Sequence, residues 1–308
     1  MTTAASETRT GLIQGVGACL IWGLLPLYLK LLKAVPAAQV LGQRILWSLL
    51  LLAVVVLVLR RGRAILAAAR GRVLLLLTAS ALLISVNWLT YIWSVANGHV
   101  LDASLGYFVN PLVTVVLGVA VLRERISRVQ AVAIGLAAAG VLVMAVGGGA
   151  LWISLTLALS FGVYGLIRKT VAIDALGGLT IETLILAPFA AAALAWAGAN
   201  GTSAWGQDWR TDALLAGTGV LTAVPLLLFA SAARRLRYAT VGLLQYIAPT
   251  LVFLEAVLLF GEPLRPVHVV TFGLIWVGCG LYAWDSVRAS RMPSPTGRGR
   301  EPTQSAEG

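Results

Sequence analysis

Apolar residues in this chain come in runs of about twenty, each closed by a short cluster of arginine, glycine or proline. The runs lack the apolar–polar alternation of half-buried strands and are apolar on every side rather than along one helical stripe. A helix needs about 20 mostly apolar residues to cross a hydrocarbon core of about 30 Å. That length predicts spans over Gly11–Leu32, Ala38–Leu59, Arg72–Ala96, Leu101–Leu122, Val129–Val146, Ala150–Ile167, Gly178–Ala197, Ala213–Ala233, Ala239–Phe260 and Val267–Trp284. Only helices and closed barrels satisfy their backbone in lipid, and runs this long are not barrel segments. The pattern therefore reads as an all-α polytopic membrane protein with ten transmembrane helices. Its first run is too long for a cleavable signal core, and Trp22, Pro26 and Lys30 interrupt it.

Composition agrees. Of 308 residues, 59% are hydrophobic and 11% charged, against roughly 25% charged in soluble domains. The net charge of +11 first suggests a nucleic-acid partner, but its placement points elsewhere. With the N-terminus set in the cytoplasm, only Lys30, Lys33, Arg210 and Arg265 fall outside, and Arg44 falls within a span. The rest of the 23 basic residues lie inside. This is the positive-inside bias of a membrane protein with both termini cytoplasmic. Residues 1–10 read as a cytoplasmic tail, and the Pro-, Gly- and Ser-rich 288–308 as a disordered one.

The chain is also written twice. Gly106 matches Gly242 at a separation of 136 residues. Pro111, Glu124, Gly135 and Gly140 match Pro249, Glu262, Gly273 and Gly278, each 138 apart. Gly23, Leu27 and Lys30 match Gly162, Leu166 and Lys169 at 139. This gives two five-helix repeats, 11–146 and 147–287. Five is odd, so the second copy enters the membrane upside down. Inverted repeats are the plan of many secondary transporters, whose sites lie near the midplane where the halves meet.

The strings "IWGLLPLYLK", "QRILWS", "NWLTYIWSVANGHVLDASLGYFVNPLV", "FGVYGLIRK", "LTIETL" and "VPLLLFASAARRLRYATVGLLQYIAPTLVF" resemble the RarD branch of the EamA transporters, in the drug/metabolite transporter superfamily. The resemblance runs from about Gly11 to Asp285. It implies a ten-span inner-membrane permease of two repeats and names no solute. Glu255 departs from it, standing where the family pattern is apolar.

Several residues are candidates for carrying a solute. Arg44 lies about six residues into its span, roughly 9 Å deep. It either snorkels to the headgroups or lines a water-filled cavity as an anion-binding or pairing residue, with Trp47 at i+3 on the same face. Glu182 occupies the matched position in the second copy. It reads as a gating or proton-accepting acid, or as a structural acid near the inner headgroups. Inversion places it and Arg44 at different depths, which argues against a direct ion pair. Glu255 lies at a depth similar to Arg44 and reads as a coupling or gating acid or an interfacial one. Asn87, Trp88 and Tyr91 form a polar-aromatic patch; Tyr107 and Asn110 precede Pro111, and Gln245 and Tyr246 precede Pro249. The two prolines are expected to interrupt their helices and free carbonyls beside a central cavity. Helix packing through interhelical hydrogen bonds is the competing role for all of these polar residues.

His99 and His268 lack ligand spacing, so no metal is expected, and no cofactor either. Gly147–Gly149 opens no nucleotide-binding helix and no Walker sequence is present, so ATP drive is not expected. The expected function is alternating-access transport, with export favoured, of a small organic metabolite or drug-like solute. Proton coupling and uniport both stay open. An intramembrane enzyme acting on a lipid or isoprenoid is the alternative, weakened because Asp102, Asp174 and Asp285 are scattered at span ends. Expected partners are the solute and membrane lipid, with a homodimer open and no nucleic acid.

Overall fold

The structure, a computed structural model, describes residues 2–123, 127–147, 150–236 and 244–291. Helices α1 (Thr2–Gly23), α2 (Leu25–Leu31), α3 (Ala37–Val58), α4 (Gly62–Ala68), α5 (Arg72–Ala96), α6 (Val100–Leu122) and α7 (Arg128–Val146) form the first half. The second half contains α8 (Leu151–Thr170), α9 (Ala175–Ala199), α10 (Trp209–Arg235), α11 (Ile247–Leu254, continued by a π turn over Glu255–Leu259) and α12 (Pro266–Arg291). No strand occurs among the described residues. Eight helices are long and apolar enough to cross a membrane, counting α1 and α2 as one over Glu7–Leu31, and 247–259 is a shorter apolar helix. Leu57, Leu75, Phe189, Trp196 and Leu258 are among many large apolar side chains facing outward. So much apolar surface fits lipid and not water.

Connections meet at two opposite faces of the bundle. On the face where the chain starts, Arg61 pairs with Asp174 at 2.7 Å and Ser127 Oγ donates to Asp285 at 2.8 Å. On the other face, the Val100 and Leu101 amides both donate to the Glu262 carboxylate at 2.8 Å. Gln39 there bonds Thr202 and Ala204, and Asp102 lies 3.0 Å from His99 and 4.0 Å from His268. Glu262 thus caps the free amides at the start of α6.

Helices of one half pack mainly on the other. α3 lies against α9 and α10, α1 against α10 and α11, α8 against α5 and α6, and α7 against α12. In the last pair, Gly140 faces the Thr271 carbonyl and Ile275, while Gly278 faces the Ala133 carbonyl and Leu136. Gly140 and Gly278 are matched repeat positions, and so are Ala133 and Thr271. Each helix therefore plays toward its partner the role the partner plays toward it.

The helices depart from the sequence expectation at identifiable points. α1 begins at Thr2, so residues 2–10 are helical rather than a tail; alanines and Glu7 there favour helix. α6 passes Pro111 without a break, because packed neighbours can re-satisfy the backbone a proline frees. Pro249 sits in the first turn of α11, a position where proline is tolerated, and the turn is at Gln245–Tyr246 just before it. Another break falls at Leu24, where Pro26 cannot continue the hydrogen bonding of α1. Glu124, most of the glycine linker and the tail from 292 lie outside the described residues.

A central cavity between the halves

Arg44 and Glu182 each stand seven residues from the start of their helices, α3 and α9, which begin on opposite faces. Neither reaches the other. Arg44 is 5% exposed; its Nε donates to Thr222 of α10 at 2.6 Å and its guanidinium lies 4.6 Å from the Trp88 ring centroid. Glu182 is 1% exposed, accepts from Ser80 of α5 and Tyr164 of α8, and lies 3.7 Å from Arg168. Each charge is therefore held by a hydroxyl from the opposite half: Thr222 for Arg44, Ser80 for Glu182.

A cavity of about 520 Å³ opens between the halves. Arg44, Asn87, Trp88, Tyr91, Tyr107, Asn110, Gln245 and Pro249 line it, as the sequence leads one to expect. Asn87 donates to the Leu157 carbonyl and to Ser160 of α8, both at 3.0 Å, so it also ties the halves together. Tyr107 donates to Asn87 Oδ1 at 3.4 Å and meets the Tyr91 ring edge-on at 5.4 Å. These rings present faces and edges suited to an organic solute.

Other expected residues do not line it. Trp47 turns into the seam between α3 and α10: its Nε1 donates to Gln43 and its ring lies 5.8 Å from Trp205. Gly219 lets the α10 backbone close on Trp47, since a Cβ there would collide with it. Tyr246 stacks on Phe108 at 6.3 Å, because the turn at 245–246 sends adjacent side chains to different sides. Glu182 lies behind Tyr164 and Arg168, which do line the cavity. Glu255 starts the π turn, 4% exposed, and among the described residues neither carboxylate oxygen has a hydrogen-bond partner. No pair between Glu255 and Arg44 forms. For Pro111, only its backbone place in α6 is described.

The cavity extends to Arg168, Ile173, Asp174 and Ala175 at the α8–α9 turn, on the face where the chain begins. Asp174 caps α9 through the Gly177 amide, pairs with Arg61, and its carbonyl accepts from Arg168. Gly178 makes room for the Arg168 side chain. Among the described residues, nothing from the connections on the opposite face lines the cavity. Sequence reading passed over Trp22, Phe161, Tyr164, Arg168 and Phe229. Phe161, Tyr164 and Arg168 carry a usable signal, the i, i+3, i+7 spacing of one helical face.

The EamA-like transporter family matches residues 9–146 and again 147–284. The chain belongs to that family. It is 46% identical over 291 residues to the protein RarD of Streptomyces exfoliatus, covering 94% of this chain and 92% of that one. It is 44% identical over 297 residues to an uncharacterized transporter of Pseudomonas aeruginosa, covering 95% and 99%. A crystal structure of a protein at 16% identity matches 91% of this chain and 99% of its own with a TM-score of 0.62, which speaks to the fold alone. This EamA-family chain is a multi-pass membrane protein of a bacterial transporter family.

Proposed function

We propose that this protein is a secondary transporter of a small organic solute, alternating access through two inverted five-helix repeats that make ten spans. The central cavity is its solute site. In this reading it lies in the inner membrane with both termini in the cytoplasm, and the cavity faces the cytoplasm. The observation that carries the proposal is a cavity walled by both halves that reaches one face of the bundle and, among the described residues, is lined by none of the connections on the other. Exchange of roles between Gly140 and Gly278 supports the inversion, since inverted copies related by a two-fold axis in the membrane make that contact twice. The Arg61–Asp174 and Arg168–Glu182 pairs stand at the open cytoplasmic mouth, and on the other side Glu262 on the start of α6 holds the closed end.

Reconstitution in liposomes with a solute library tests it. Solute exchange that collapses in Arg44→Lys and Glu182→Gln, with both variants inserted at the wild-type level, is expected. Full exchange by both variants would remove the cavity assignment.

A further inference from the structure

We propose that the cavity takes an organic monoanion, a carboxylate or sulfonate on an aromatic body, with the Arg44 guanidinium as its anion-binding end. The inference rests on the transporter reading above. Among the described residues, three formally charged side chains line the cavity: Arg44, Arg168 and Asp174. The protein answers two of them itself. Asp174 takes Arg61 at 2.7 Å, and Arg168 lies 3.7 Å from Glu182.

Arg44 is answered by no acid within ion-pair distance among the described residues. Its Nε is spent on Thr222, and its guanidinium carbon lies over the Trp88 ring. Its two terminal nitrogens make no hydrogen bond among the described residues, and neither is a sealed-in orphan. They are therefore open to the cavity that Arg44 lines. Trp88 and Thr222 together fix the plane of a two-pronged donor, the geometry that matches two oxygens of one carboxylate or sulfonate. Glu255, the other buried acid expected near this depth, makes no side-chain hydrogen bond among the described residues and does not line the cavity.

A lone charge within a span is costly and calls for a partner. Here the ligand supplies it. A cationic solute would add a second positive charge beside an unanswered one. A dianion would need a second cation, and Arg168, the other one lining the cavity, already has Glu182 3.7 Å away. The volume, about 520 Å³, lies within the usual range for small-molecule sites. Trp22, Phe161 and Phe229 give a flat ring its walls.

Three near-isosteric planar probes isolate charge from shape: benzoate, benzamide and benzamidine. Binding to the purified full-length protein is read by tryptophan fluorescence, since Trp22 and Trp88 line the cavity. Benzoate is expected to bind saturably and at least tenfold tighter than benzamide, with benzamidine weaker still. In Arg44→Gln that order should flatten. Should Arg44→Gln fail to insert, Arg44→Lys reads the same point, because a single ammonium cannot form the fork, and benzoate should weaken about tenfold. Equal binding of benzoate and benzamide, a preference for benzamidine, or saturable binding of none of the three would overturn the inference. Liposome exchange keeps the two readings apart. Exchange confined to neutral or cationic solutes overturns the anion inference and leaves the transporter standing, whereas no exchange of any solute overturns the transporter reading itself.

Discussion

The guanidinium carbon of Arg44, on α3, lies over the indole of Trp88, on α5, 4.6 Å from the ring centroid. The two residues belong to the same half, while the bond that fixes the guanidinium edge comes from Thr222 in the other. A desolvated cation–π contact is worth about 1–2 kcal/mol. Trp88→Leu keeps the apolar volume and removes the ring face, so solute affinity should fall about five- to thirtyfold. Trp88→Phe should recover part of it. The concentration dependence of liposome exchange measures both, and unchanged affinity in Trp88→Leu would take the ring out of the site.

Arg44 and Glu182 occupy matched repeat positions yet have separate partners, Thr222 and Trp88 for one, Ser80, Tyr164 and Arg168 for the other. Exchanging their charges in Arg44→Glu with Glu182→Arg should therefore not restore transport lost in either single variant. The double variant would put an acid over Trp88 and a second cation beside Arg168. Recovery to near wild type would mean the two residues act as one pair.

Matched glycines allow an internal control. Gly140 and Gly278 sit against backbone carbonyls of the facing helix, whereas a Cβ at Gly135 or Gly273 meets nothing. Gly140→Ala and Gly278→Ala should lower the melting temperature in detergent, with Gly278→Ala lower because its Cβ would lie 2.8 Å from the Ala133 oxygen against 3.1 Å from Thr271 for Gly140. Gly135→Ala and Gly273→Ala should hold or raise it, since alanine is favoured over glycine in a helix by about 1 kcal/mol. Equal effects at all four positions would contradict the α7–α12 packing.

Orientation has its own test. In a cysteine-free background, single cysteines at Asn97 and Gln207 should react with an impermeant maleimide on whole cells. A cysteine at Arg63 should react only after permeabilisation. The reverse pattern would turn the protein over and place the open face of the cavity outside.

Much of the site could be read from sequence because a polar residue inside an apolar run is an anomaly that demands a partner. Arg44, Asn87, Tyr107, Asn110 and Gln245 stood out for that reason, and they reach one cavity. Spacing alone misled at Trp47. The i+3 rule puts it near the face of Arg44, but that face is divided between cavity and α10, and Gly219 draws α10 onto Trp47. Tyr246 was beyond reach because a turn, not a helix, connects it to Gln245. Arg168 and Asp174 were hidden for another reason: at the ends of spans, charges that line a cavity look the same as those that set topology. Pro26 marks the break near Leu24 in the sequence, whereas the π turn leaves no mark beyond Glu255 itself, since the residues that follow it are apolar.

Alternation between two ends, one open while the other is closed, is the central claim, and spin-label distances in liposomes test it most directly. One pair, at Arg63 and Ala172, reports the end with the Arg61–Asp174 pair. A second pair, at Asn97 and Leu264, reports the end that Glu262 holds shut. The account predicts that the fraction of long distances at one end equals the fraction of short distances at the other. Glu262→Ala removes a helix cap worth about 1 kcal/mol, so it should raise the open fraction at the second end about fivefold and lower it at the first by the same shift. Distances that lengthen at both ends together, or that do not move at either end when the cap is removed, would contradict it.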